Sequence, residues 1–186
     1  MPALAQHYWT AAEVRELPDD GKRYECIDGE LLVTPSPRGL HQRALREVFL
    51  RIHEYIREHN LGELLWSPAD IELERNNLVQ PDLFVALPRE GETSWKDWHE
   101  VGALLLAIEV LSPSTARYDR VVKRKFYQRI KVGEYWIVDL DARVIERWRS
   151  GDRTPEVLSE ELVWGPAGAP EPLHIALEPL FRSICG

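Results

Sequence analysis

Cysteine is scarce in this chain. Only Cys26 and Cys185 occur among 186 residues, far apart and in no metal-type spacing. That leaves no basis for a disulfide framework or a cysteine-rich structural zinc site. Long apolar runs are missing too. The longest, about Ala103 to Ile108, falls far short of the roughly 20 residues that a membrane-spanning helix needs. The opening MPALAQHYWT has no basic stretch followed by an apolar one, so no secretory leader is expected and the cytoplasm is the default compartment. A positive charge balance is lacking as well. The formal net charge of -8 argues against a protein that coats nucleic acid nonspecifically, because phosphate binding draws on clustered Lys and Arg. The histidines show no HExxH spacing, and there is no GxSxG elbow, P-loop or dinucleotide fingerprint.

What is present describes a globular chain. It is 44% hydrophobic and 29% charged, and its length suits a single domain spanning 1–186. Seven tryptophans are many for this length and are expected in the core or at an interface. Two segments are locally basic. Arg117 to Lys131 carries seven Lys or Arg against one Asp, and Arg38 to Arg57 carries five Arg against two Glu.

The pattern of elements is mixed. Thr10 to Glu13 reads as a capping box opening a short helix that Pro18 ends. RYECIDGELLV has Asp28-Gly29 between two apolar-rich runs, which predicts an N-terminal hairpin with strands near Arg23 to Ile27 and Glu30 to Thr34, stopped by Pro35 and Pro37. Leu45, Val48, Phe49, Ile52 and Ile56 form one stripe of a helix that Gly62 ends. Strands are predicted near Glu63 to Trp66, Ala69 to Glu74 and Asp82 to Leu87, and Gly91 to Glu100 reads as a polar loop. Ala103 to Leu111 is apolar on both faces, as a central strand covered on both sides would be. A helix over Asp119 to Lys131, a C-terminal hairpin of Glu134 to Asp139 with Arg143 to Arg149, one more strand near Glu156 to Val163, and a closing helix from Leu177 to Ile184 complete the reading. The fold class is α/β, a mixed sheet with helices on its faces.

The chemistry concentrates at a few acids. Glu109 is the only charge between Gly102 and Leu111. A buried carboxylate is costly unless it is paired, hydrogen-bonded or bound to metal, so it fits either an ion pair or a metal ligand. Asp82 follows Pro81 and opens the apolar strand LFVAL. Two carboxylates from neighbouring strands, pointing into one cleft, make a hard oxygen site suited to magnesium. Asp119, Lys123 and Tyr127 are spaced by four and share a helical face, so they are either an ordinary Asp–Lys pair or a means of bringing an ammonium near the metal. Arg120, Arg124 and Arg129 could meet DNA phosphates or simply be solvated. Glu25, Glu30, Asp70 and His41 are further candidates with structural readings of their own.

VQPDLFV, LLLAIEVLSPST, YDRVVKRKFY and KVGEYWIVD, in that order and spacing, resemble the Uma-two family of restriction-endonuclease-like proteins, part of the PD-(D/E)XK nuclease superfamily. The resemblance covers the chain from about Tyr24 onward. It implies a restriction-endonuclease-like core and an endonuclease that cleaves DNA with Mg2+, Mn2+ being a possible substitute. It implies Asp82 and Glu109 as metal ligands. The superfamily's lysine position is Leu111 here, so the resemblance points to Lys123 on the following helix as the catalytic lysine. The family's hairpin Glu corresponds to Glu25 or Glu30, of which Glu30 is taken as supporting, together with His41 and Tyr127. Arg120 and Arg124 are the expected DNA contacts. Two cuts on duplex DNA need two sites, so a homodimer is expected. The competing expectation is a nuclease-like fold that no longer cuts and serves as a DNA-binding or protein-interaction module, favoured by the absent lysine and the net acidity.

Overall fold

The computed structural model describes residues 7–36 and 38–186. Residues 1–6 and Pro37, the second proline expected to stop the hairpin, lie outside these. Helix α1, Ala11–Arg15, opens on the expected capping box, Thr10 and Glu13 satisfying each other's backbone N–H groups. Strands β1, Arg23–Ile27, and β2, Glu30–Thr34, form the hairpin. Its two turn residues, Asp28 and Gly29, have φ of 51° and 81°, the positive pair that a tight hairpin turn demands.

Helix α2 spans Gly39–His59 with Arg38 as its extended N-cap, so the basic stretch is helical from Gly39 on and His41 lies in the first turn. Asn60, in the left-handed conformation, ends it, rather than Gly62. Strands β3, Glu63–Trp66, β4, Ile71–Glu74, β5, Asn77–Val79, and β6, Leu83–Pro88, follow. The polar loop then folds Trp95 and Trp98 against the core, with Trp98 edge-on to Phe84. The central strand β7 runs Val101–Val110. A π-helical segment, Tyr118–Lys123, continues into α3, Arg124–Arg129. Strands β8, Glu134–Asp139, and β9, Val144–Arg149, make the expected second hairpin.

The remainder differs from expectation. The single strand expected near Glu156 to Val163 is two, β10, Glu156–Leu158, which joins β9, and β11, Glu161–Trp164, which pairs with an unforeseen β12, Leu173–Ala176. Helix α4, Leu177–Cys185, closes the chain.

Six strands form the main sheet in the order β10-β9-β8-β7-β6-β3, and β2-β1-β5-β4 form a smaller antiparallel one. All pairs in the main sheet are antiparallel except β7 with β8, and that parallel step is bridged by the π-helical segment and α3. One face packs against α2 and α4 through residues such as Ile52, Leu83, Ile108, Trp136 and Phe181. The other packs against α3 and the smaller sheet through Phe84, Ala107, Ile137, Phe126, Ile27 and Ile71. Both faces of β7 are therefore covered, as its sequence implies, but one cover is half sheet. The register of β6 against β7 slips between Val85 and Ala86, leaving Leu105 without a partner, so Leu104 and Leu106 face opposite sides. Gly133 passes beneath this bulge. A Cβ there would lie 2.3 Å from the Leu105 carbonyl oxygen, so only glycine fits.

Candidate active site

Beyond the bulge the alternation settles the geometry of the two acids. Leu83 opposes Ile108 and Phe84 opposes Ala107. One residue earlier on β6's approach and one later on β7, Asp82 and Glu109 come opposite each other, on the face turned to the smaller sheet. Both are buried, at 1% and 3% exposure.

Asp82 is held on three sides. Its Oδ1 accepts from Arg23 Nη1 at 2.5 Å, and its Oδ2 accepts from the Val110 backbone N–H and pairs with His41 Nε2, both at 2.9 Å. Burial alone would raise its pKa, but His41, Arg23 and Lys123 outweigh that and hold the carboxyl well below the usual range. Glu109 Oε1 accepts from Lys123 Nζ at 2.8 Å and has the Tyr127 hydroxyl at 3.4 Å. Burial drives Glu109 well above the ordinary carboxylate range, with Asp82 adding repulsion against the pull of Lys123. Lys123 Nζ also lies 2.8 Å from Glu25 Oε2, an ion-pair contact without hydrogen-bond alignment. Burial works to discharge Lys123, yet Glu109 and Glu25 keep it protonated far above its usual pKa.

The π-helical segment explains how one helix delivers three inward groups. Residues four apart overshoot one α-helical turn and undershoot one π turn, so the two deviations from Asp119 to Lys123 and from Lys123 to Tyr127 offset each other. All three are buried. The expected shared face is real, though its helix is not a regular α-helix.

The structure separates the remaining candidates. Glu25, not Glu30, enters the cluster; Glu30 is exposed and lines a shallow depression with Arg117, Tyr118 and Val122. The choice of Glu30 as the supporting acid is thus corrected. In β1 the alternation turns positions 23, 25 and 27 inward; Glu30 pairs with Ile27 and shares that face, but at the turn end of the hairpin it lies beyond the cluster and is exposed. Arg120 is spent on Asp139 and Glu146, its Nη2 lying 2.8 Å and 2.5 Å from their carboxylates. Arg124 lies over the Trp148 ring, 4.9 Å from its centroid. Both guanidiniums thus have internal partners in the folded chain, Arg120 the more fully, and their role as DNA contacts stays an expectation from sequence. Asp70 bonds Gln80 and is structural. Arg23 was not singled out by the sequence at all. Its only signal is a two-residue offset from Glu25 in a short strand.

Four carboxylates, Glu25, Asp82, Glu109 and Asp119, share this buried region with two permanent cations, Arg23 and Lys123, and with His41. That surplus of negative charge and the all-oxygen donor set suit a hard divalent cation. Among the described residues no group of three or more His, Cys, Asp or Glu side chains is placed to cage a metal. Magnesium is nevertheless commonly held by one or two carboxylates, with water and substrate phosphates completing its shell.

Asp119 registers the surplus. Burial, opposed by Lys123 and Thr115 and aided by Glu25 and Asp82, raises it to about 6. Because the folded pKa exceeds the unfolded one, the native state binds more protons between roughly pH 4 and 6, and stability falls as pH rises through that window. Asp119→Asn mimics the protonated acid. It is expected to leave stability near pH 4 unchanged and to raise it at pH 7 by about 3 kcal/mol, at 1.36 kcal/mol per pKa unit. Urea unfolding at the two pH values checks this, and an equal effect at both overturns it.

The comparisons agree with this architecture. A crystal structure described as a putative nuclease from Anabaena variabilis superposes with a TM-score of 0.74 at 22% identity, covering 94% of this chain and 98% of that one. The fold is that of this nuclease-like α/β class. The Uma2 family, described as "putative restriction endonuclease", matches residues 11–177, and the chain belongs to that family. No curated protein is detectably similar to it. Among the described residues, no helix is long and apolar enough to cross a membrane.

Proposed function

We propose that this protein is a magnesium-dependent endodeoxyribonuclease, with manganese as a workable substitute, acting on DNA as a homodimer. The observation that carries the reading is the pairing of Asp82 and Glu109, brought from adjacent strands to one face within an excess of buried negative charge. These two carboxylates would hold the metal. When bound, it supplies Lewis-acid neutralisation of the scissile phosphate and eases deprotonation of the attacking water. The chain's own residues set the geometry. His41, Arg23 and the Val110 N–H fix the plane of Asp82, and Lys123 and Tyr127 fix Glu109.

A second reading, a nuclease-like module that binds without cutting, draws on the three donors that already occupy Asp82. Metal separates the two. In a thermal-shift titration, Mg2+ or Mn2+ at 100-fold its Kd is expected to stabilise the parent by about 2.7 kcal/mol, since ligands of the native state stabilise by mass action. For a protein of this size that is a rise in Tm of roughly 5–10 °C. The same metals should support chelator-sensitive cleavage of plasmid DNA. Neither a shift nor cleavage leaves only the second reading.

A further inference from the structure

The site contains two permanent cations, and they are placed differently. Lys123 is only 2% exposed, and its Nζ is shared between Glu25 and Glu109 at 2.8 Å each. An ammonium so enclosed bridges the two acids and has little to offer a ligand arriving from solvent. Arg23 stands at the first position of β1, and 17% of its side chain remains accessible. One nitrogen, Nη1, is engaged by Asp82. Nε is buried with no hydrogen-bond partner, and among the described residues Nη2 has no protein acceptor.

An unpartnered buried N–H is costly, and the uncommitted edge of a guanidinium is the fork that matches two oxygens of a phosphate. Arg23 also pairs with the carboxylate proposed to hold the metal, which puts this fork beside any phosphate that the metal would bind. We infer that Arg23, rather than Lys123, is the cation that meets the scissile phosphate. Nη1 stays on Asp82 while the Nε and Nη2 side donates to the non-bridging oxygens. The inference rests on the nuclease reading above. It makes Arg23 a catalytic residue and Lys123 a positioning residue that acts through Glu109.

Binding of a fluorescein-labelled duplex oligonucleotide by the full chain, in chelator and across a salt series, tests this without cleavage. Each lost phosphate contact lowers the slope of log affinity against log salt by about 0.9. Arg23→Gln is expected to lose that much slope, and Arg23→Lys, which keeps the charge, to retain the parental slope. Arg120→Gln, whose guanidinium is already spent on Asp139 and Glu146, should leave it unchanged. A parental slope in Arg23→Gln overturns this inference and leaves the nuclease reading standing, whereas a parent that binds no DNA removes both. Should Arg23→Gln fail to fold, phenylglyoxal modification of the parent followed by peptide mass spectrometry serves instead. Arg23 is expected to react in the free protein and to be protected by the oligonucleotide. Equal labelling in both states, or none in either, overturns the inference.

Discussion

Asp82→Ala is expected to abolish metal-dependent DNA cleavage, lowering the rate by about 10^3-fold or more. A Lewis-acid metal contributes several kcal/mol to the transition state of phosphate hydrolysis, and each 1.36 kcal/mol is a factor of ten. Removing one of two carboxylate ligands forfeits most of that. The substitution also has a readable effect on folding. Asp82 and Glu109 repel each other, so relief of charge could in principle stabilise the variant. The cationic surroundings decide otherwise. Asp82 is held well below the ordinary carboxylate pKa, so its negative charge is net favourable where it sits. Its loss leaves Arg23, His41 and the Val110 N–H without their acceptor. The variant should therefore be less stable than the parent at neutral pH, and the difference should shrink in acid, where the parent's carboxylate protonates. Cleavage assays at saturating Mg2+, paired with unfolding curves at pH 7 and at about pH 2, below the ordinary aspartate pKa of about 3.9, check both halves. Equal cleavage by parent and variant would sink the assignment of Asp82. A variant more stable than the parent at pH 7 would contradict the electrostatics.

The parts of the site that could be read from sequence are those with a local cause. Glu109 is conspicuous because a lone charge in an apolar strand has few explanations, and Asp82 because Pro81 marks the strand's start. The spacing of Asp119, Lys123 and Tyr127 survives because the π-helical segment and α3 deviate in opposite senses. What could not be read depends on the third dimension. Arg23 and Glu25 belong to a small sheet folded over the larger one, and no local pattern says that this hairpin strand delivers Arg23 to Asp82, 59 residues away in sequence, and Glu25 to Lys123. The same holds for Arg120 and Arg124. A basic helix next to a nuclease-like acid pair suggests phosphate contacts, but the β8–β9 hairpin supplies Asp139, Glu146 and Trp148 as internal partners. Charge in a sequence shows what a residue could bind, and packing decides whether that capacity is already used.

The fold divides along a similar line. Hairpins with strong turn residues, the amphipathic α2 and the doubly covered β7 were legible because each carries its own periodicity. Strand β12 was not, because its four residues alternate weakly and sit in a Pro- and Gly-rich stretch; its pairing with β11 supplies what its propensity lacks. The bulge at Leu105 was also hidden, since an extra residue in a continuously apolar strand leaves no mark on the pattern. It matters to the site all the same. Without that reversal, a register set from the start of β7 would place Glu109 on the α2 face, away from Asp82.

Lys123→Met is expected to cost more stability than any other single change in the cluster, about 3–5 kcal/mol, the range for removing one partner of a buried ion pair. The side chain is buried and shares its charge between two carboxylates, Glu25 and Glu109, which have no other ammonium partner among the described residues. Methionine fills much of the same volume, so the loss is electrostatic rather than a cavity. For a chain of this size it corresponds to a fall in Tm of roughly 6–20 °C. The two acids would not respond alike. Burial already drives Glu109 toward its neutral form, so without the lysine it can take up a proton and recover part of the loss. Glu25 Oε1 accepts the Gln80 backbone N–H and ties β1 to the approach of β6, so its disturbance should spread to the hairpin. The double variant Lys123→Met with Glu109→Gln removes the orphaned charge and should regain a measurable share of the stability, giving a coupling between the two sites within the 0.5–3 kcal/mol seen for contacting residues. Denaturant unfolding of the parent, both single variants and the double variant closes the cycle. Additive losses would mean that Lys123 and Glu109 do not act as a pair, and the positioning role of Lys123 would fall with that result.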